Sequence, residues 1–143
     1  MQSKTNYLAV GAAAIVYWLL QAGWYTMFGE AWVAAIGFDP AKAKVMEEAA
    51  SPLPYVTALL ANFVIAYVIS SVMLHTGPAS VGRGLRVAFL LWGGLVATNY
   101  ATQYSFEQRS FTLFAINGGS ALAGMLLSGV IVGAWKKNAP SAG

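Results

Sequence analysis

Few side chains in this sequence are of a type and spacing that could carry chemistry. His75 is the one histidine. It closes an apolar run where a cation suits a helix C-terminus, and a lone imidazole with no acidic neighbour in sequence cannot build a metal site. Glu47 and Glu48 are adjacent. On a helix of 3.6 residues per turn they point about 100° apart, so they read as a solvated face. The stretch holding Gly77, Gly82, Arg83 and Gly84 lacks the Lys-Ser/Thr ending of a phosphate loop, and no serine sits in a Gly-x-Ser-x-Gly setting. With no cysteine in the chain, disulfides, thiolate metal sites and thiol nucleophiles are excluded. The sequence therefore predicts no enzyme: no catalytic residue, no metal and no cofactor.

What remains is a set of uncharged amides, Gln21, Asn62, Asn99 and Asn117, each inside an apolar run. The runs define the architecture. Of the 143 residues 58% are hydrophobic and 9% charged, whereas a soluble domain carries roughly 25% charged residues. A chain this short cannot hide so much apolar surface in one core. Four uncharged runs reach the ~20 residues needed to cross about 30 Å of hydrocarbon: Tyr7 to Phe28, Leu53 to Leu74, Val87 to Phe106 and Phe111 to Trp135. Bare backbone amides cannot face lipid, and runs this continuous lack the alternation of barrel strands, so each run is predicted to be a helix. The fold expected is an all-α integral membrane four-helix bundle, one polytopic domain over residues 1–143.

The connections agree with four helices. Gly77-Pro78 ends the second span, with Gly able to take a left-handed cap and Pro unable to continue the helix. Pro54 sits at the start of the same span, where a missing amide does no harm. The link Glu107 to Ser110 is so short that the third and fourth helices must be antiparallel neighbours. The first connection, residues 29–52, is longer. Asp39-Pro40 reads as an N-cap with Pro at N1, opening a helix to about Ala50. Phe28, Trp32, Ala35 and Ile36 recur at helical spacing before it, so an interfacial amphipathic helix is expected between the first two spans. Lys4 followed by an apolar run with small residues near Ala22 superficially fits a signal peptide, but the run is long and Trp24-Tyr25 reads as an interfacial anchor. An uncleaved span is expected.

Loop charges set an orientation. With both termini cytoplasmic, the inner segments hold Lys4, Arg83, Arg86, Lys136 and Lys137 and no acidic residue, while the outer ones hold Lys42, Lys44 and Arg109 with all five acidic residues. That bias follows the retention of positive charge inside. The basic residues are scattered over the sequence, so no nucleic-acid partner is expected. Membrane lipids are the expected partners, with Arg83, Arg86, Lys136 and Lys137 at anionic headgroups.

In this topology Gln21, Asn62, Asn99 and Asn117 fall roughly 7 to 14 Å inside the outer boundary, one amide per helix. Two readings stand. Amides bonded across helices would contribute about 0.6 kcal/mol each to the bundle. Alternatively, with Thr98, Thr102 and Gln103, they line a small polar cavity open to the outside. No Asp, Glu, Lys or Arg lies within a proposed span, which argues against a proton-driven carrier. Aromatic residues cluster at the same boundary, among them Tyr55, Tyr100, Tyr104, Phe106 and Phe111, as an interfacial belt does. Small residues repeat every four positions in the last two spans: Gly93, Ala97 and Ala101; Ser120, Gly124 and Ser128; Gly129 and Gly133. They predict close helix approach, either within one bundle or, through Gly129 and Gly133, as a seam of self-association.

The stretch Ala22-Gly23-Trp24-Tyr25-Thr26-Met27-Phe28-Gly29-Glu30-Ala31-Trp32 resembles the signature of a bacterial membrane family called domain of unknown function 1761. The matching residues are Trp24, Tyr25, Phe28, Gly29 and Trp32. Pro54-Tyr55, Trp92-Gly93, Ala115-Ile116-Asn117 and Gly133-Ala134-Trp135 also resemble it, while Gly118-Gly119-Ser120 departs from the family's Ala-Gly-Tyr. The resemblance implies a polytopic inner-membrane protein without an assigned activity. The function expected is a non-enzymatic scaffold or accessory membrane protein whose protein partner the sequence does not name. The alternative is a small transport or ligand-binding module using the outer amides.

Overall fold

The computed structural model describes residues 4–37, 39–49 and 51–136. Four helices are long and apolar enough to cross a membrane: α1 (Tyr7–Met27), α4 (Leu53–Thr76), a third span over Val81–Phe106, and α7 (Phe111–Ala134). At 1.5 Å per residue even the 21 residues of α1 reach about 31 Å. Among the described residues there is no strand, and the predicted all-α four-helix bundle is the architecture found.

Side-chain caps start α1, the third span and α7. The Asn6 side chain accepts from the amides of Leu8 and Ala9 at 3.1 and 3.2 Å, capping α1. Its own Nδ2 donates to the Trp135 carbonyl at 3.1 Å, so it also ties the start of α1 to the end of α7. Ser80 caps the third span through the Arg83 amide, and Ser110 caps α7 through the Leu113 amide. Each hydroxyl satisfies an amide that helix geometry leaves without a partner. Between the third span and α7, Gln108 takes a left-handed backbone conformation at φ 55°, and the Arg109 amide closes the turn on the Tyr104 carbonyl at 2.8 Å.

One expected boundary is corrected. The third span begins at Val81, not Val87, so Gly82, Arg83 and Gly84 lie in its first turn. The reason lies in packing. Ser80, Gly84 and Ala88, four residues apart, meet the backbone and small side chains of α7. A Cβ on Gly84 would strike the Gly129 carbonyl, and one on Gly133 would strike Ser80. The first connection holds the two helical segments its spacing predicts, α2 (Gly29–Ile36) and α3 (Pro40–Glu48), separated where Gly37 ends α2 in the left-handed conformation at φ 84°. Asp39 caps α3 as predicted, accepting from the Lys42 amide at 2.7 Å.

The third span is not one regular helix. It runs as α5 (Val81–Leu91), a π-helical segment (Trp92–Ala97) and α6 (Thr98–Phe106). Wide turns of this kind insert an extra residue into the helix. They also interrupt the predicted stripe of Gly93, Ala97 and Ala101.

Packing centres on α7, which touches α1, α4, α5 and the π segment, while α1 also lies along α4. The core is made of small and flexible residues, among them Ala9, Ala13, Ala66, Ala88, Ile69, Met73 and Met125. Tyr17 is the large exception: its ring, 3% exposed, lies over Gly124, where a Cβ would collide with it. Large apolar side chains point outward instead, Leu8 at 73% and Leu95 at 66% exposure. In water such surfaces would be costly; in hydrocarbon they are the expected face.

Candidate functional site

The polar residues at depth come together around α7. Asn117 lies about six residues, or roughly 9 Å, inside the N-terminal end of that helix. Its Oδ1 accepts from the Tyr25 hydroxyl at 2.7 Å, and its Nδ2 donates to the Tyr104 hydroxyl at 2.8 Å. One amide thereby joins the first, third and fourth spans. Two indoles reinforce it. Trp24 Nε1 donates to the Ile116 carbonyl at 3.0 Å and Trp92 Nε1 to the Gly118 carbonyl at 2.9 Å. A helical carbonyl has a second lone pair after its i+4 bond, and the small residues that follow leave that lone pair open to a ring. Gly119 is part of this opening, since a Cβ there would come within 3.1 Å of the Trp24 ring.

Trp24 and Tyr25 bring the rest of their motif with them. Trp24 packs against Phe28 with ring centroids 5.0 Å apart, and Tyr25 meets Trp32 edge-on at 6.1 Å. Phe28 is the hinge residue between α1 and α2, and its carbonyl accepts from the Trp32 amide at 2.8 Å. Gly29 opens α2 with nothing within 4 Å of where a Cβ would stand. The motif is thus a corner: it turns the chain out of the first span and fastens the turn to α7. Arg109 holds the far end of α2, donating to the Ile36 carbonyl at 3.0 Å and pairing with Glu107 at 3.2 Å.

The other predicted amides separate. Asn62, 2% exposed, lies 2.8 Å from the Gln21 amide and links α4 to α1. With its amide turned over, Asn62 also reaches the Ala58 carbonyl at 3.2 Å; oxygen and nitrogen of an amide are interchangeable on geometry alone. Asn99 is exposed and makes no side-chain hydrogen bond among the described residues, so the expected layer of four is a pair plus one hub. Thr98 and Thr102 bond to carbonyls one turn back on their own helix, and Gln103 to Glu107.

Sequence reasoning missed three participants. Trp92 and Tyr104 were visible only as belt or motif aromatics. Ser120, 2% exposed, holds a hydroxyl with no hydrogen-bond partner among the described residues. Cavities lie at the two ends of the bundle. One of about 280 Å³ opens at the α6–α7 turn beside Tyr104, Arg109, Phe111 and Phe114. Another of about 470 Å³ opens between α4 and α5 beside Arg83 and Arg86. Gln21, Asn62 and Asn117 line neither.

The remaining predicted residues are placed as follows. Gly129 and Gly133, weighed as packing within the bundle or as a self-association seam, are buried and packed against Gly84 and Ser80 of the same chain. Arg83, Arg86 and Lys136 stand at the end of the bundle where Asn6 meets Trp135. Lys137 lies outside the described residues. His75 is exposed, its ring nitrogen 2.7 Å from the Ser71 carbonyl. Among the described residues no group of three His, Cys, Asp or Glu could hold a metal.

Four apolar spans closed by a half-buried hydrogen-bonded hub define a multi-pass α-helical membrane protein. The chain belongs to the family described as protein of unknown function, DUF1761, whose model matches residues 8–133. That match takes in the whole corner motif and the hub on α7. No curated protein and no solved structure matches the chain.

Proposed function

We propose that this protein is a non-enzymatic scaffold or accessory protein of a bacterial inner membrane, with both termini in the cytoplasm. The observation that carries the reading is the pairing of polar groups at depth. Gln21 meets Asn62, and Asn117 meets Tyr25 and Tyr104, so amides that would line a conduit are engaged helix to helix. Interhelical bonds of this kind fix the register of a bundle. A rigid bundle that carries two short helices, α2 and α3, on one end has a surface to offer a partner there. The described side chains of α3 are all exposed, Val45 at 64%.

The test is purification in patches of native membrane, followed by mass spectrometry of what stays bound. A membrane protein held in stoichiometric amount, and lost when α3 is replaced by a flexible linker, is the expected result. Vesicles holding this chain alone that move a small solute would overturn the reading.

A second reading, a small transport or ligand-binding module in the outer half of the bundle, draws on one observation. The Ser120 hydroxyl is buried without a partner close to the hub, and buried hydroxyls are costly unless bonded. Solute flux lost in Ser120→Ala and Asn117→Leu variants that keep their thermal stability would favour it.

A further inference from the structure

The geometry points to a binding site for one anionic phospholipid in the groove between α4 and α5, its phosphate on Arg83 and Arg86 and an acyl chain along the apolar floor. This site stands apart from the hub on α7 and does not depend on the scaffold reading. The groove encloses about 470 Å³ and is lined by Val72, Val87, Leu90 and Leu91 below the two arginines. The arginines are three residues apart at the start of α5, so they share one helix face. The four apolar residues lie farther along the two helices and so run into the hydrocarbon.

Arg83 is already posed. Its guanidinium donates to the Pro78 carbonyl and lies over Gly77, at the spot where a Cβ would stand 2.9 Å from the guanidinium carbon. Gly77 has φ 147°, a conformation that side chains disfavour, and the same missing Cβ admits the arginine. One nitrogen is engaged and the remaining donors of the fork are left for a phosphate. Arg86 is exposed and makes no hydrogen bond among the described residues, and the one ion pair among them is Arg109 with Glu107, at the other end of the bundle. The free amides and dipole at the start of α5 add to the positive field. Ser80 and Thr76 also line the groove.

A free phosphate would use the arginines alone. The apolar floor is what selects a lipid, and the anionic leaflet is where a basic cleft with such a floor is filled.

The experiment is native mass spectrometry of the full chain released from zwitterionic micelles, titrated separately with phosphatidylglycerol and phosphatidylcholine. Phosphatidylglycerol should be retained at least about tenfold more tightly. Each arginine near a membrane surface contributes about fivefold, so Arg86→Gln should cut retention about fivefold and the double variant with Arg83→Gln roughly 25-fold. Arg86→Gln removes no internal bond, so its result holds even if Arg83→Gln disturbs the fold. Equal retention of the two lipids, or no change in Arg86→Gln, would overturn the site. So would displacement of phosphatidylglycerol by millimolar inorganic phosphate, which would mean that the floor contributes nothing.

Discussion

Single residues decide how closely the helices approach, and glycine reveals it because its neighbours differ so much. At Gly124 a methyl group would enter the ring of Tyr17, while at Gly11 it would meet nothing within 4 Å. Gly124→Ala should therefore destabilise the protein by about 1–3 kcal/mol, as overpacking of a filled site does. Gly11→Ala should be neutral or slightly stabilising, since alanine is the better helix former. Thermal unfolding in detergent checks both, and Tyr17→Leu should recover part of the loss in the Gly124→Ala background. The same contrast holds for amides. Asn117→Leu removes two interhelical bonds, each worth about 0.6 kcal/mol, so a loss of roughly 1 kcal/mol is expected. Asn99→Leu, at an exposed position without a partner among the described residues, should stay within about 0.5 kcal/mol of the parent. Equal losses at the two positions would mean that Asn117 is not the hub.

At the scale of elements, the third span carries the feature that hydropathy could not reveal. A π segment is a change of backbone hydrogen-bond register, and the apolar character of Trp92-Gly93-Gly94-Leu95-Val96-Ala97 is the same either way. The extra residue turns α6 about 100° from where a continuous helix would aim it. This is why Gly93, Ala97 and Ala101 do not form the stripe their spacing predicts, and why face assignments beyond Trp92 could not be made from spacing. Span ends were legible where charge or Pro-Gly chemistry marks them, as at Thr76 and Phe106. The start at Val81 was not, because Arg83 and two glycines look like a loop until Gly129 is seen against Gly84. The amides were legible as polar groups inside apolar runs, but their partners were not, since hydroxyls 92 and 13 residues away in sequence serve Asn117 and the Gln21 amide 41 residues away serves Asn62. The segment has a direct test. Deleting Gly94 removes the extra residue, so the π turn becomes α and both flanks keep their register. Deleting Ala101, within α6, rotates Tyr104 away from Asn117. The first variant should unfold near the parent's temperature and the second well below it. A severe loss on deleting Gly94 would show that the wide turn itself is required.

For the whole molecule, four spans bring the start of α1 and the end of α7 to one end of the bundle, where the Asn6–Trp135 bond joins them directly. The close packing of Gly133 on Ser80 brings Arg83 and Arg86 to the same end as Lys4 and Lys136. The five acidic residues, Glu30, Asp39, Glu47, Glu48 and Glu107, lie in connections at the opposite end. Folding thus gathers charges that are dispersed in sequence into one basic face and one mixed face. Retention of positive charge in the cytoplasm then predicts which face is inside. The chain has no cysteine, so single cysteines can be introduced without background. Glu47→Cys, on exposed α3, should react with a membrane-impermeant maleimide in intact cells. Lys4→Cys and Lys136→Cys should react only after the cells are opened. If Lys136→Cys is labelled in intact cells while Glu47→Cys is protected, the basic face is outside, and the orientation is set by something stronger than the charge of the loops.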